Sequence, residues 1–108
     1  MKEIRLMPEY QSWPTWYYSD NDAQDVDPHE LPISKALAED LNNWSDKYIN
    51  AFNGENPSDS GFSTVKELED FLYKGNQLYK RLSKELHGKY AVTYRPIGRD
   101  YVRRHPTD

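Results

Sequence analysis

Ser34-Lys35-Ala36-Leu37-Ala38-Glu39-Asp40-Leu41-Asn42-Asn43-Trp44-Ser45-Asp46-Lys47-Tyr48-Ile49-Asn50-Ala51-Phe52-Asn53-Gly54 is the stretch on which the fold turns. Leu37, Leu41, Trp44, Tyr48 and Phe52 recur at spacings of 4, 3, 4 and 4, which places them on one face of an α-helix. The spacing predicts a helix from Ser34 to Asn53. Ser34 is its N-cap, because a serine hydroxyl accepts a bond from a first-turn backbone N–H that has no carbonyl partner. Asn53-Gly54 is the expected stop, with glycine free to take a left-handed cap.

Working outward, Glu55 to Gly61 reads as a turn-rich connector. A second helix is predicted from Thr64 to His87. Thr64 and Glu67 have the spacing of a capping box. Leu68, Phe71, Leu72, Gly75, Leu78, Tyr79, Leu82 and Leu86 trace its apolar stripe, and Gly88 ends it. Gly75 inside a helix costs about 1 kcal/mol relative to alanine, so close approach of the first helix or the sheet is its expected reason. Glu3 to Met7 and Lys89 to Arg95 alternate as strands do, the second with Tyr90, Val92 and Tyr94 on one side. Residues 8–33 contain Pro8, Pro14, Pro28 and Pro32 and show no helical period, so an ordered but irregular loop pinned by Trp13 and Trp16 is expected there.

The predicted order is β-loop-α-α-β, an α+β fold with two amphipathic helices packed on one face of a small sheet. Two helices between two strands favour an antiparallel central pair. Two strands alone are marginal, so added pairing from the loop, the tail or a second chain is expected. Residues 1–95 read as a single α+β domain and 96–108 as a basic C-terminal tail, mobile unless Ile97, Tyr101 and Val102 add a further short element. The apolar share of 36% is lean, but 14% of the 108 residues are aromatic, and each ring buries a large area.

Charge is divided along the chain. Between Ser19 and Asp59 ten acids face only Lys35 and Lys47, a net of eight negative charges. From Gly61 onward ten Lys and Arg face six acids. Tyr10-Gln11-Ser12-Trp13-Pro14-Thr15-Trp16-Tyr17-Tyr18 leads directly into the acidic stretch. Exposed tyrosine beside aspartate is the composition of a surface that holds an Arg- and Lys-rich partner. For Trp13 and Trp16, sealing the core is the competing role.

The residues of catalysis are not arranged for it. His29, His87 and His105 lie on a loop, at a helix end and in the tail, with no ligand spacing among them. Asp20-x-Asp22 matches two calcium-loop positions, but positions 6 and 12 are then Asp25 and Leu31 instead of Gly and Glu. No serine has a nucleophile context and no phosphate loop exists. Arg95, Arg99, Arg103 and Arg104 with Tyr94 and Tyr101 are a weak signal for nucleic acid on an acidic chain. There is no cysteine. Met1 to Leu6 has no apolar run of signal-peptide length, and nothing approaches the roughly 18 apolar residues of a membrane span, so a cytoplasmic protein is expected.

The run Asp27-Pro28-x-x-Leu31-Pro32-Ile33-Ser34, the helix with Leu41 and Trp44, and Ser60-Gly61-Phe62-Ser63 ahead of a helix ending near Gly88 resemble small bacterial immunity proteins of contact-dependent growth inhibition systems. The resemblance covers roughly residues 3–95. It implies a protein that binds the C-terminal toxin domain of a large surface-delivered protein. Many such toxins are nucleases, basic because their substrate is polyanionic. The charge distribution fits that demand without the resemblance.

The expected contact surface is Trp16, Tyr17, Tyr18, Asp20, Asp22, Asp25, Asp27 and Glu30, with Asp59 a second-rank position. No cofactor or metal, no direct nucleic acid and no membrane is expected, and the stoichiometry is open. Two other readings stand beside this one: an interaction or regulatory module without a toxin, and an enzyme that uses a pair of carboxylates.

Overall fold

The computed structural model describes residues 2–20 and 22–103. Glu3–Leu6 is strand β1, Thr15–Ser19 is β2 and Asp22–Val26 is β3. Helices α1, Lys35–Asn50, and α2, Val65–Glu85, follow, and Ala91–Tyr94 is β4. The four strands form one mixed sheet in the order β3-β2-β1-β4. β1 pairs antiparallel with β2 and β2 antiparallel with β3. β1 pairs parallel with β4, Ile4 opposite Val92 and Leu6 opposite Tyr94.

The α+β class and the two helices on one sheet face are as the sequence predicts. The helices begin where their caps say. Ser34 Oγ accepts from Leu37 N–H at 3.2 Å and Thr64 Oγ1 from Glu67 N–H at 3.1 Å. Glu67 turns back to accept from Ser63 N–H at 3.3 Å. α1 ends three residues before Asn53. The reason lies in Asn53 itself: its backbone N–H donates to Ser60 Oγ, and its Oδ1 accepts from Glu55 and Asn56. That side chain organises the connector instead of a last helical turn.

Ile4 and Leu6 of the sheet meet Leu37, Leu41, Trp44, Leu68, Phe71, Leu78, Leu82 and Leu86 in one buried core. Each such side chain stabilises the fold by about 1.5–3 kcal/mol when fully buried. Trp44 stacks on Phe71 at 4.5 Å and donates its indole N–H to Phe71 C=O at 2.9 Å, so its polar end is satisfied. Gly75 faces this pair. A Cβ there would lie 2.6 Å from Trp44 Cζ2 and still nearer the Tyr94 hydroxyl, which is the close approach its position predicts.

Two expectations are corrected. The first is the irregular loop over 8–33, within which Thr15–Ser19 and Asp22–Val26 form a hairpin closed across Ser19 and Asp22. Buried Thr15 helps fix it by donating its hydroxyl to Val26 C=O at 2.7 Å. The second is the antiparallel central pair. Ser34 binds Glu85, close before β4 begins, while Trp44 lies beside Tyr94 at its end. α1 therefore runs with β3, β1 and β4. The segment Asp27–Ser34, with its 3-10 turn Pro28–Glu30, carries the chain back along the sheet before α1 starts, and one reversal is lost.

Beyond β4 the chain turns back over the helices. Val102 forms a single parallel bridge with Phe62, and Tyr101 packs on Tyr48 at 5.2 Å. Gly61, at φ 134°, is required there, because a Cβ would lie 2.7 Å from the Val102 backbone. Arg104 and His105, two of the basic-tail residues read from the sequence, lie outside the described residues.

Candidate functional site

Alternation along the strands divides the aromatic and acidic residues between two faces. Trp16 and Tyr18 of β2 share the uncovered sheet face with Glu3 and Arg5 of β1 and Thr93 of β4. These groups satisfy one another. The Arg5 guanidinium lies 3.5 Å over the Tyr18 ring and pairs with Glu3 at 3.3 Å. Thr93 Oγ1 donates to Glu3 at 2.7 Å and accepts from Arg5 Nε at 3.4 Å. Trp16 donates its indole N–H to Met7 C=O at 3.0 Å. The network finishes a sheet face that no helix covers, and its rings and charges already have partners.

The second group lies along the edge strand β3. Two hollows open there, of about 470 and 430 Å³. The first is walled by Trp13 and Pro14 on one side and by Asn42, Ser45, Asp46 and Ile49 of α1 on the other. The second is lined by Tyr17, Gln24, Asp27 and Glu30. Both include Trp13 and Asp25, so they form one furrow. Four carboxylates line it, and no lysine or arginine does. Trp13 is 44% exposed and Tyr17 40%, so both rings face solvent beside the acids.

The four carboxylates differ in what they do. Asp25 accepts from the Trp13 backbone N–H at 2.8 Å, holding the loop onto the hairpin. Asp27 caps the 3-10 turn by accepting from His29 N–H at 3.0 Å, and it also accepts from Asn42 Nδ2 at 3.5 Å. Glu30 and Asp46 are exposed, and no described residue forms an ion pair or hydrogen bond with either carboxylate. Burial raises the Tyr17 phenol above its ordinary range, and Tyr90 and the negative charge of Glu30 add to this.

Asp20 and Asp22 sit at the hairpin tip, both exposed. They line a wider hollow of about 650 Å³ that Tyr17, Tyr18 and Tyr90 share with Lys2 and Glu3. Tyr17 therefore joins the tip to the furrow. Asp59 lies in the α1–α2 connector, on the 3-10 turn Pro57–Asp59, and lines neither hollow of the furrow. A further hollow of about 430 Å³ between the helices mixes signs, with Lys47, Lys74 and Arg103 against Glu67 and Asp70. Among the described residues no group of three His, Asp or Glu is placed to hold a metal ion, and no helix is long and apolar enough to cross a membrane.

The structure thus brings together Tyr17, Asp25, Asp27 and Glu30 along the β3 edge and sets Asp20 and Asp22 at the adjoining tip. Trp16 and Tyr18 point to the sheet face opposite Tyr17, and Asp25, paired with Trp16, lies at the edge of that face. Sequence reasoning missed Trp13 and Asp46. The available signal was a polar stripe on α1, Asn42, Ser45 and Asp46 at helical spacing, flanking the apolar face.

The family model described as Serratia CdiI immunity protein-like matches residues 2–97. A search of curated proteins found no match.

Proposed function

The chain belongs to the Serratia CdiI immunity protein-like family, and from that premise we propose that it neutralises a basic nuclease toxin domain by plugging its active site or the surface beside it. The supporting observation is the furrow at the β3 edge. It has four carboxylates, no lysine or arginine and two exposed rings, whereas the hairpin-tip hollow includes Lys2 and the interhelical hollow includes Lys47, Lys74 and Arg103. A nuclease groove is cationic because it must hold phosphates, so an acidic inhibitor competes for the same ground. Unpaired rim charges such as Glu30 and Asp46 steer the encounter, and aromatic rings packed at the centre slow dissociation. The action is binding, not catalysis, and takes place in the cytoplasm, where the toxin meets its substrate.

The test is co-expression with the cognate toxin domain. Cells should survive with the wild-type chain. They should lose protection when Asp20, Asp22, Glu30 and Asp46 are all reversed to Lys with an unchanged circular dichroism spectrum. Asp25 and Asp27 are left out of that variant because both are hydrogen-bonded to the fold. Full protection by the reversed variant would remove the furrow from the interface.

A further inference from the structure

We propose that the hollow beneath Trp13 seats one arginine side chain of the captured protein. This rests on the toxin-binding reading above and assigns it a specific contact. The hollow presents two carboxylates, Asp25 and Asp46, and no lysine or arginine. Asp46 is exposed and has no described partner, and Asp25 uses Oδ2 for the Trp13 N–H. Asn42 Oδ1 and Ser45 Oγ are buried with no hydrogen-bond partner, and Ser45 as a whole is only 2% exposed. Buried polar atoms without partners are rare in native proteins, and here two of them lie on residues that line one acidic hollow. The second wall is the half-exposed Trp13 indole, the aromatic surface that binds cations best.

These features match a guanidinium more closely than other groups. It is planar and always charged, carries five N–H donors and no acceptor, and stacks flat on an indole while its edges donate. A lysine ammonium supplies the charge as a point and does not stack. An anion would meet Asp25 and Asp46. An apolar side chain would leave Asn42 and Ser45 unpaired. The wall is also held in place beforehand. Trp13 N–H is fixed by Asp25, Met7 N–H donates to Pro14 C=O at 2.8 Å, and Tyr10 packs on Phe52 of the connector at 4.1 Å. A preformed wall lowers the ordering cost of binding.

The test is an NMR titration of the ¹⁵N-labelled full chain with N-acetyl-arginine amide, run beside the lysine analogue and the neutral, near-isosteric citrulline analogue. The expected result is saturable shifts at the Trp13 indole and the Asn42, Ser45 and Asp46 amides with arginine. Lysine should bind at least fivefold more weakly, and citrulline should give no shift. Trp13→Ala and Asp46→Asn should each abolish the arginine shifts, the second in a chain with an unchanged melting temperature. No shift with arginine, equal shifts with lysine or citrulline, or shifts centred on Asp20 and Asp22 instead would overturn the proposal. A parallel co-expression arm separates the two readings. If the wild-type chain protects against the toxin and both variants bind it as tightly, the arginine seat fails and the immunity reading stands. If the wild-type chain gives no protection, the toxin reading fails, and the titration alone decides what the hollow accepts.

Discussion

Asp27 and Asp46 both line the furrow, yet their substitutions should be felt differently. Asp27 caps the 3-10 turn and accepts from Asn42, so Asp27→Ala should cost about 1 kcal/mol, read from urea unfolding. Asp46 is solvated, and Asp46→Asn should stay within about 0.5 kcal/mol of wild type in the same assay. Tyr94 gives a prediction in pH. Burial pushes its phenol up to about 12 from an ordinary value of 10.0. The folded chain thus keeps a proton that the unfolded chain releases. The stability this contributes is complete below about pH 10 and is lost as pH rises to about 12. Thermal melts over that range should show a falling midpoint, and Tyr94→Phe should make the fall shallower. It should not abolish it, because burial also raises Tyr17, Tyr48 and Tyr101.

At the level of elements, α1, α2, β1 and β4 were legible because each carries a complete local signal: an apolar period, a cap with its acceptor, or strict alternation. The β2–β3 hairpin was not. β3 is Asp-Ala-Gln-Asp-Val, poor in strand formers, and it is stabilised as an edge by pairing with β2 rather than by its own propensity. β2 carries aromatics on both faces, Trp16 and Tyr18 on one and Tyr17 on the other, which hides the alternation. The acidic part of the site was legible as composition. Its division between two faces required register, which sequence spacing alone does not supply. Gly75 tests how tightly the elements meet. Alanine is favoured by about 1 kcal/mol in an isolated helix, but overpacking against Trp44 and the Tyr94 hydroxyl costs about 1–3 kcal/mol. Gly75→Ala should therefore be net destabilising. Adding Tyr94→Phe should recover part of the loss, a coupling above about 0.5 kcal/mol in a double-mutant cycle.

For the whole molecule, the mild formal charge of −4 conceals the arrangement that matters. The cations of the second half reach the interhelical hollow through Lys74 and Arg103, whereas the furrow has none. Capture steered by such a field weakens with ionic strength, because the screening length falls to about 3 Å at 1 M salt. Association with a basic partner should slow markedly between about 0.05 and 0.5 M salt, while dissociation, governed by the packed rings, changes less.

Amide hydrogen exchange of this chain, free and bound to the toxin domain it captures, measures the footprint directly. Slowed exchange at residues 11–14 and 22–30 is the expected result. Unchanged exchange in both segments, with new protection confined to α2 and residues 96–103, would contradict the assignment of the furrow.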